Sequence, residues 1–214
     1  MKKFLLGAAA ALAVTAPGVA SADSAEVGVG YGNIDFGNGA DFDIWTLNGA
    51  YNHQFDSGWV LQLDGQHDRI DLGANLGDSY GAVNLGMRNE SHALYGFVGL
   101  SDVFALSFIN LGAGGQLYLG NATINGSVGW SSSDDADLDI TDARLDGTWF
   151  LGGDNFGLTG QAGWINADAG DADVWRISLS YNIGTGSERE RSQSGASFNG
   201  ARNLYQDTLA AFFF

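Results

Sequence analysis

Cysteine is absent from the chain, proline occurs once, and lysine and arginine together number nine against 25 acids. Each scarcity removes a class of protein. Without cysteine there is no disulfide framework, no thiolate zinc site and no thiol nucleophile, so packing and hydrogen bonding alone must hold the fold. With a formal charge of -16 over 214 residues, the electrostatic term that drives nucleic-acid binding has the wrong sign, and no nucleic acid is expected as a partner. Charged residues make up only 16%, aromatics reach 12%, and glycine numbers 33. Together with a mean hydropathy of -0.03, this is neither a disordered chain nor a helical membrane protein.

Long apolar runs are equally scarce. The one candidate, Phe4 to Ala16, is stopped by Pro17 and falls short of the roughly 20 residues a helical anchor needs. Lys2 and Lys3 precede it and Ala20-Ser21-Ala22 follows as an A-x-A cleavage site. Residues 1–22 therefore read as a secretory signal peptide, and export is expected. Its removal takes both lysines and no acid, leaving seven arginines against 25 acids and a net charge of -18.

What is present instead is period two. In Trp175-Arg-Ile177-Ser-Leu179-Ser-Tyr181 the large apolar groups share one face, while Arg176, Ser178 and Ser180 share the other, as in a strand with one polar side. The same alternation recurs around Trp59-Leu61-Leu63, Ile124-Val128-Trp130, Leu145-Trp149 and Leu158-Ala162-Trp164. Ten strands are predicted, at 25–35, 42–55, 59–68, 79–87, 93–102, 108–119, 122–131, 138–151, 156–166 and 174–183. Most match the roughly 9–11 residues with which a tilted strand crosses a hydrocarbon core. The fifth is apolar on both faces, with Tyr95 and Phe97 on one and Leu94, Val98 and Leu100 on the other.

The connections alternate. Asp56-Ser57-Gly58, Arg88 to Ser91, Gly120-Asn121 and Gly152 to Asn155 have tight-turn compositions. The intervening connections look longer and acidic, and place Asp134, Asp135, Asp137, Asp139, Asp168, Asp171 and Asp173 in loops at the opposite end. Short turns on one side and long loops on the other is the asymmetry of outer-membrane barrels. Aromatic residues sort to the strand ends as two interfacial girdles would require. Trp45, Trp130, Trp164 and Trp175 fall at one end, and Tyr51, Trp59, Tyr95, Tyr118, Trp149 and Tyr181 at the other.

With its signal peptide, amphipathic strands, short turns, acidic loops and terminal Phe214, the chain resembles the small outer-membrane β-barrel and porin-like proteins of Gram-negative bacteria. The resemblance covers residues 23–183 by pattern. It implies an all-β fold, an antiparallel up-and-down transmembrane barrel of ten strands, with eight or twelve as alternatives. It also implies outer-membrane lipid and the barrel-assembly machinery as partners. In that family a terminal strand with alternating apolar residues and a final aromatic is the assembly signal. Here Ile177, Leu179 and Tyr181 match the alternation, yet residues 184–214 follow and end in Phe212-Phe213-Phe214. This tail opens with a mixed-charge run, Glu188 to Arg191, suited to a linker. Its apolar end reads either as an amphipathic helix through Leu204, Thr208, Leu209 and Phe212 or as an assembly signal over Leu209 to Phe214.

A barrel on this register lines its lumen with Gln62, Asp64, Gln116, Asp142, Arg144, Asp146, Gln161 and Arg176, among other polar residues. Eight strands leave an interior just filled by side chains and sixteen enclose a water channel, so ten predict a narrow pore. Fourteen of the 25 acids fall at the loop end, where they would concentrate cations. The expected function is a narrow, weakly cation-preferring pore for small ions or solutes. The alternatives are a non-conducting structural or adhesive barrel and, further off, a soluble exported β-sandwich. Catalysis is not expected. The histidines are His53, His67 and His92, no nucleophile-elbow, zincin or P-loop pattern occurs, and His67 and Asp68 must point to opposite faces of a strand. No cofactor and no metal site are expected, since the acidic loop at 134–139 matches no calcium-loop spacing.

Overall fold

The structure, a computed structural model, describes residues 23–37, 41–55, 57–71, 75–103, 106–133, 138–151, 155–167, 170–183 and Phe198. The signal-peptide reading of 1–22 and both readings of the apolar terminus lie outside them. The described chain forms ten strands: β1 (Asp23–Asp35), β2 (Asp41–Gln54), β3 (Trp59–Asp71), β4 (Asn75–Arg88), β5 (His92–Val103), β6 (Leu106–Tyr118), β7 (Ala122–Ser133), β8 (Leu138–Phe150), β9 (Phe156–Ala167) and β10 (Gly170–Ile183). Each pairs antiparallel with its chain neighbour, and β1 closes on β10 from Ala25 opposite Ile183 to Asp35 opposite Asp173. Closure leaves no edge strand, so the backbone of every strand is paired on both sides.

Period two decides which way each side chain points. In β8, Ile140, Asp142, Arg144, Asp146, Thr148 and Phe150 are buried, while Thr141, Ala143, Leu145, Gly147 and Trp149 between them are exposed. Around the barrel the exposed set includes Val29, Leu47, Leu63, Val83, Val98, Leu111, Val128, Leu145, Leu158 and Ile177. A continuous apolar band of this kind is far larger than the exposed patches of soluble monomers. It is what a hydrocarbon surround requires.

Four turns close one end of the barrel, hereafter the turn end. Phe55 N donates to Trp59 O, Asn89 N to His92 O, Leu119 N to Ala122 O and Leu151 N to Phe156 O, all at 2.8–2.9 Å. Gly58 and Gly120 take φ of 82° and 71°, left-handed values that a Cβ disfavours. Asn89 Oδ1 accepts from the backbone N–H of both Ser91 and His92 at 2.9 Å, so its side chain holds the turn after β4.

The opposite, loop end departs from expectation. Strands there run on through residues assigned to loops: β3 reaches Asp71, β4 begins at Asn75, and only residues 104 and 105 separate β5 from β6. The expected asymmetry is therefore absent: connections at the loop end, at 36–40, 72–74, 104–105, 134–137 and 168–169, are no longer than those at the turn end, at 55–58, 89–91, 119–121 and 151–155. Asp139 lies on β8, and Asp171 and Asp173 on β10, so these three are strand residues rather than loop residues. At this end the hydrophobic pattern inverts, Ile140, Ala172 and Val174 facing inward and Asp139, Asp171 and Asp173 outward, and ladder pairing continues wherever neighbouring strands remain in register.

β5 shows why both of its faces are apolar. Leu94, Val98 and Leu100 face outward, whereas Tyr95 and Phe97 are buried inside. Inward glycines on the next strand make this fit: a Cβ on Gly114 would lie 2.4 Å from the Tyr95 ring, and one on Gly112 2.2 Å from Phe97. Tyr80 of β4 similarly lies against Gly99 of β5, where a Cβ would come within 2.6 Å of the ring. Gly112→Val is therefore expected to destabilise the barrel by about 1–3 kcal/mol through overpacking. The shift of its urea midpoint in detergent checks this, and an unchanged midpoint would mean that the ring and glycine do not interlock.

Candidate functional site: the lumen

The interior is apolar at the loop end and mixed below it. At the loop end, Ile34, Ile44, Phe108, Ile140, Ile165 and Val174 form a buried apolar cluster, with Phe36, Phe42, Leu106 and Leu138 packed against it. These residues come from β1, β2, β6, β8, β9 and β10, so they converge from around the circumference. Below this cluster the lumen is polar as far as the turn end along β7 to β10, β1 and β2, where Ser24, Asn52, Thr123, Thr148, Ser180 and Asn182 are buried. A second buried cluster, rich in aromatic rings, lines one side of the barrel: Val60, Tyr80, Ala93, Tyr95, Phe97 and Tyr118 of β3 to β6, joined by Phe198.

The polar layer holds the lumen residues the alternation singled out. Gln62, Asp64, Gln116, Asp142, Arg144, Asp146 and Arg176 are buried facing inward, and Gln161 is half-buried on the same face. Gln62 Nε2 donates to both Asp64 oxygens at 2.8 and 2.7 Å, and Asn84 Nδ2 is a second donor to the same carboxylate. Arg144 Nε pairs with Asp142 Oδ2 at 2.8 Å. Asn125 Nδ2 donates to Asp146 Oδ2 at 2.7 Å and accepts at Oδ1 from the Tyr95 hydroxyl at 2.8 Å. To make that last bond, Tyr95 passes over Gly114 and bridges from β5 to β7.

One ion pair spans the interior. Arg176 Nη2 of β10 lies 3.7 Å from Asp68 Oδ1 of β3, and β1 and β2 lie between those strands. The arginine stem crosses inward glycines of β1, where a Cβ on Gly30 would sit 3.4 Å from Arg176 Cδ. Asp68 and Asp78, expected at the acidic mouth, are both buried inside. The buried ionisable residues among those described are Glu26, Asp64, Asp68, Asp78, Asp142 and Asp146 against Arg88, Arg144 and Arg176, so the lumen carries an excess of acid. Thr46 Oγ1, the Asn52 amide and Ser127 Oγ have no hydrogen-bond partner among the described residues. Buried polar groups of this kind are satisfied where water reaches them.

Of the acidic residues assigned to the loops, Asp139, Asp171 and Asp173 are exposed, and Asp171 accepts from Asn166 Nδ2 at 2.6 Å. Asp134, Asp135, Asp137 and Asp168 lie outside the described residues. No cluster of three or more potential metal ligands occurs among the described residues. The histidines are scattered over the outer face. His67 Nδ1 lies 3.1 Å from Ser79 Oγ while Asp68 turns inward, so the sequence neighbours do not meet. His92 contacts Asn89 and Ser91 in its turn, and His53 packs edge-on against Phe55.

The girdle residues Trp45, Trp59, Trp130, Trp149, Trp164, Trp175 and Tyr181 are exposed on the outer face, and Tyr51 is half-buried. At the loop end Tyr31 joins Trp45 and Trp175, with ring centroids 5.1 and 6.0 Å apart. Tyr118 and Tyr95 do not belong to the girdle. Both lie inside, and the Tyr118 hydroxyl donates to Gln116 Oε1 at 3.3 Å. Position near a strand end was read as an interfacial signal, but parity overrides it: Gln116, two residues before Tyr118, faces the lumen, so Tyr118 must as well.

Sequence reasoning missed Phe198. It is fully buried in the lumen, although the polar stretch around it resembles a linker. The signal available was a lone aromatic within Ser194-Gly-Ala-Ser-Phe198-Asn199. Arg88, assigned to a turn, is likewise a buried lumen residue at the end of β4.

A closed ten-stranded barrel with a lipid-facing apolar band, aromatic belts and a polar interior defines a transmembrane β-barrel protein. Among solved structures it is similar in fold to a loop-deletion mutant of OmpT, an outer membrane protein of Vibrio cholerae, with 13% identity and a TM-score of 0.42 over 78% of this chain and 61% of that one. It is also similar to the beta domain of the Bordetella autotransporter BrkA, with 11% identity and a TM-score of 0.49 over 77% of this chain and 100% of that one. The translocator domain of the autotransporter NalP from Neisseria meningitidis matches at 11% identity and a TM-score of 0.43, over 85% and 94% of the two chains. No family model and no curated protein sequence matches the chain.

Proposed function

We propose that this protein is a narrow outer-membrane pore that passes small cations with a weak preference and is closed at rest by an apolar layer at the loop end of its lumen. The observation that carries this reading is the buried polar layer, in which six acids face three arginines. A fixed negative excess inside a narrow, low-dielectric tube favours cations over anions. The cluster around Phe108 is a hydrophobic constriction, which gates by excluding water, and the aromatic rings around Tyr95 narrow the lumen from one side. The turn end faces the periplasm in this reading, the loop end faces outward, and residues 1–22 direct export.

The same two clusters also favour the second reading, a structural barrel whose lumen never conducts. Planar-bilayer recording of the refolded protein in a salt gradient separates them. Brief, small steps with a reversal potential on the cation side are expected. Anion-selective steps would overturn the cation preference. Silence under applied voltage, in the wild type and in variants that remove the constriction, would establish the structural reading.

A further inference from the structure

Among the buried aspartates described, Asp78 stands apart. Asp64 accepts from Gln62 and Asn84, Asp142 from Arg144, Asp146 from Asn125 and Asp68 from Gln66. Asp78 is 1% exposed, and neither of its carboxylate oxygens has a hydrogen-bond partner among the described residues. An ionised carboxylate held out of water without a donor is costly, and a proton or a cation beside it removes that cost.

The neighbours of Asp78 supply the rest of a site. Asp78 on β4 is paired directly with Asp68 on β3, and Asp68 with Thr46 on β2. The three side chains therefore stand in a row on the inner wall, at the spacing of about 5 Å that direct cross-strand partners keep. Thr46 is 4% exposed, and its Oγ1 has no hydrogen-bond partner among the described residues. The atoms this row presents to the lumen are all oxygens, the donors that hard cations take.

Charge sets the valence of the ion. Arg176 Nη2 lies 3.7 Å from Asp68 Oδ1, so one of the two carboxylates already faces a cation and the excess is a single negative charge at Asp78. Two carboxylates and a hydroxyl also fall short of the oxygen shell that holds a divalent ion such as calcium. The next inward positions toward the loop end are Ile44 on β2 and Val174 on β10, both members of the apolar cluster, so the row lies beneath the constriction.

We propose that Asp68, Asp78 and Thr46 form a lumenal site for a monovalent alkali cation, whose coordination is completed by water. The site narrows the solute of the pore to a small, hard, singly charged ion. That the ion pauses there on a conduction path rests on the pore reading above; that it binds does not.

The test uses the full chain refolded in detergent, with urea unfolding followed at constant ionic strength as N-methylglucamine chloride is exchanged for sodium chloride. At a sodium concentration about ten times the dissociation constant, the folded-to-unfolded ratio is expected to rise about tenfold, since the ion binds only the folded barrel. Asp78→Asn keeps the shape and removes the charge. It is expected to be at least as stable as wild type in N-methylglucamine and to lose the sodium response, whereas Asp171→Asn, on the outer face, keeps the response in full. Thr46→Val is expected to weaken sodium binding several-fold. A wild-type midpoint that ignores sodium, or one that shifts equally in Asp78→Asn, would overturn the site. A midpoint that follows pH but not sodium would place a proton on Asp78 and overturn it as well. In planar bilayers Asp78→Asn is expected to move the reversal potential in a sodium chloride gradient toward zero. A sodium-dependent midpoint in a barrel that stays silent would leave the site standing and remove the pore reading. A conducting barrel whose stability ignores sodium would do the reverse.

Discussion

Leu145→Arg is expected to destabilise the folded barrel by about 2–4 kcal/mol, the cost of an arginine near the bilayer midplane. Leu145 lies at the middle of β8, is 53% exposed and faces outward between Gly126 and Ala162 on the neighbouring strands. In a soluble sandwich an arginine at a half-exposed site would cost almost nothing, because surface substitutions usually fall within about 0.5 kcal/mol. Urea unfolding of the protein refolded into lipid vesicles reads the difference. A Leu145→Arg variant that unfolds at the wild-type midpoint would show that this band faces water and would remove the membrane assignment.

Phe108→Ala is expected to cost about 3 kcal/mol and to open the loop-end constriction. Phe108 is 1% exposed and packs among Ile34, Ile44, Ile140 and Ile165, side chains that reach it from four other strands. Truncation leaves a cavity in the middle of this layer, and water admitted there joins the polar layer beneath. Urea midpoints in detergent report the first effect and single-channel open time the second, with Phe108→Leu expected to preserve both. A destabilised barrel whose conductance does not change would mean that this cluster braces the wall without closing the path.

Much of the wall was legible along the chain because alternation is a local property. Leu145 and Asp146 face lipid and lumen for the same reason that any two successive strand residues diverge, and no distant contact is needed to know it. The strand at 93–102 was the hard case, since Tyr95 and Phe97 are as apolar as Leu94 and Val98. Their inward direction depends on Gly112 and Gly114, which sit on another strand and vacate the space the rings fill. Parity was also the better guide at Tyr118, where the preference of aromatics for membrane interfaces pointed the wrong way. The loop-end strands failed differently: there the apolar face turns inward, with Ala172 and Val174 buried between the exposed Asp171 and Asp173, so acids that read as loop residues are the outer face of a strand.

By itself the sequence determined ten strands, the face most of them present, the tight turns between hairpins and the acidic character of the polar face, because each follows from residue type and spacing of two. Tertiary structure alone decided that the interior is apolar at the loop end and mixed below it, that Arg176 of β10 reaches Asp68 of β3, and that Phe198 sits between Gln62, Arg88 and Tyr95. These depend on which strands face one another once the barrel has closed. Closure brings together residues as far apart as Gln62 and Phe198, and no local period encodes that distance.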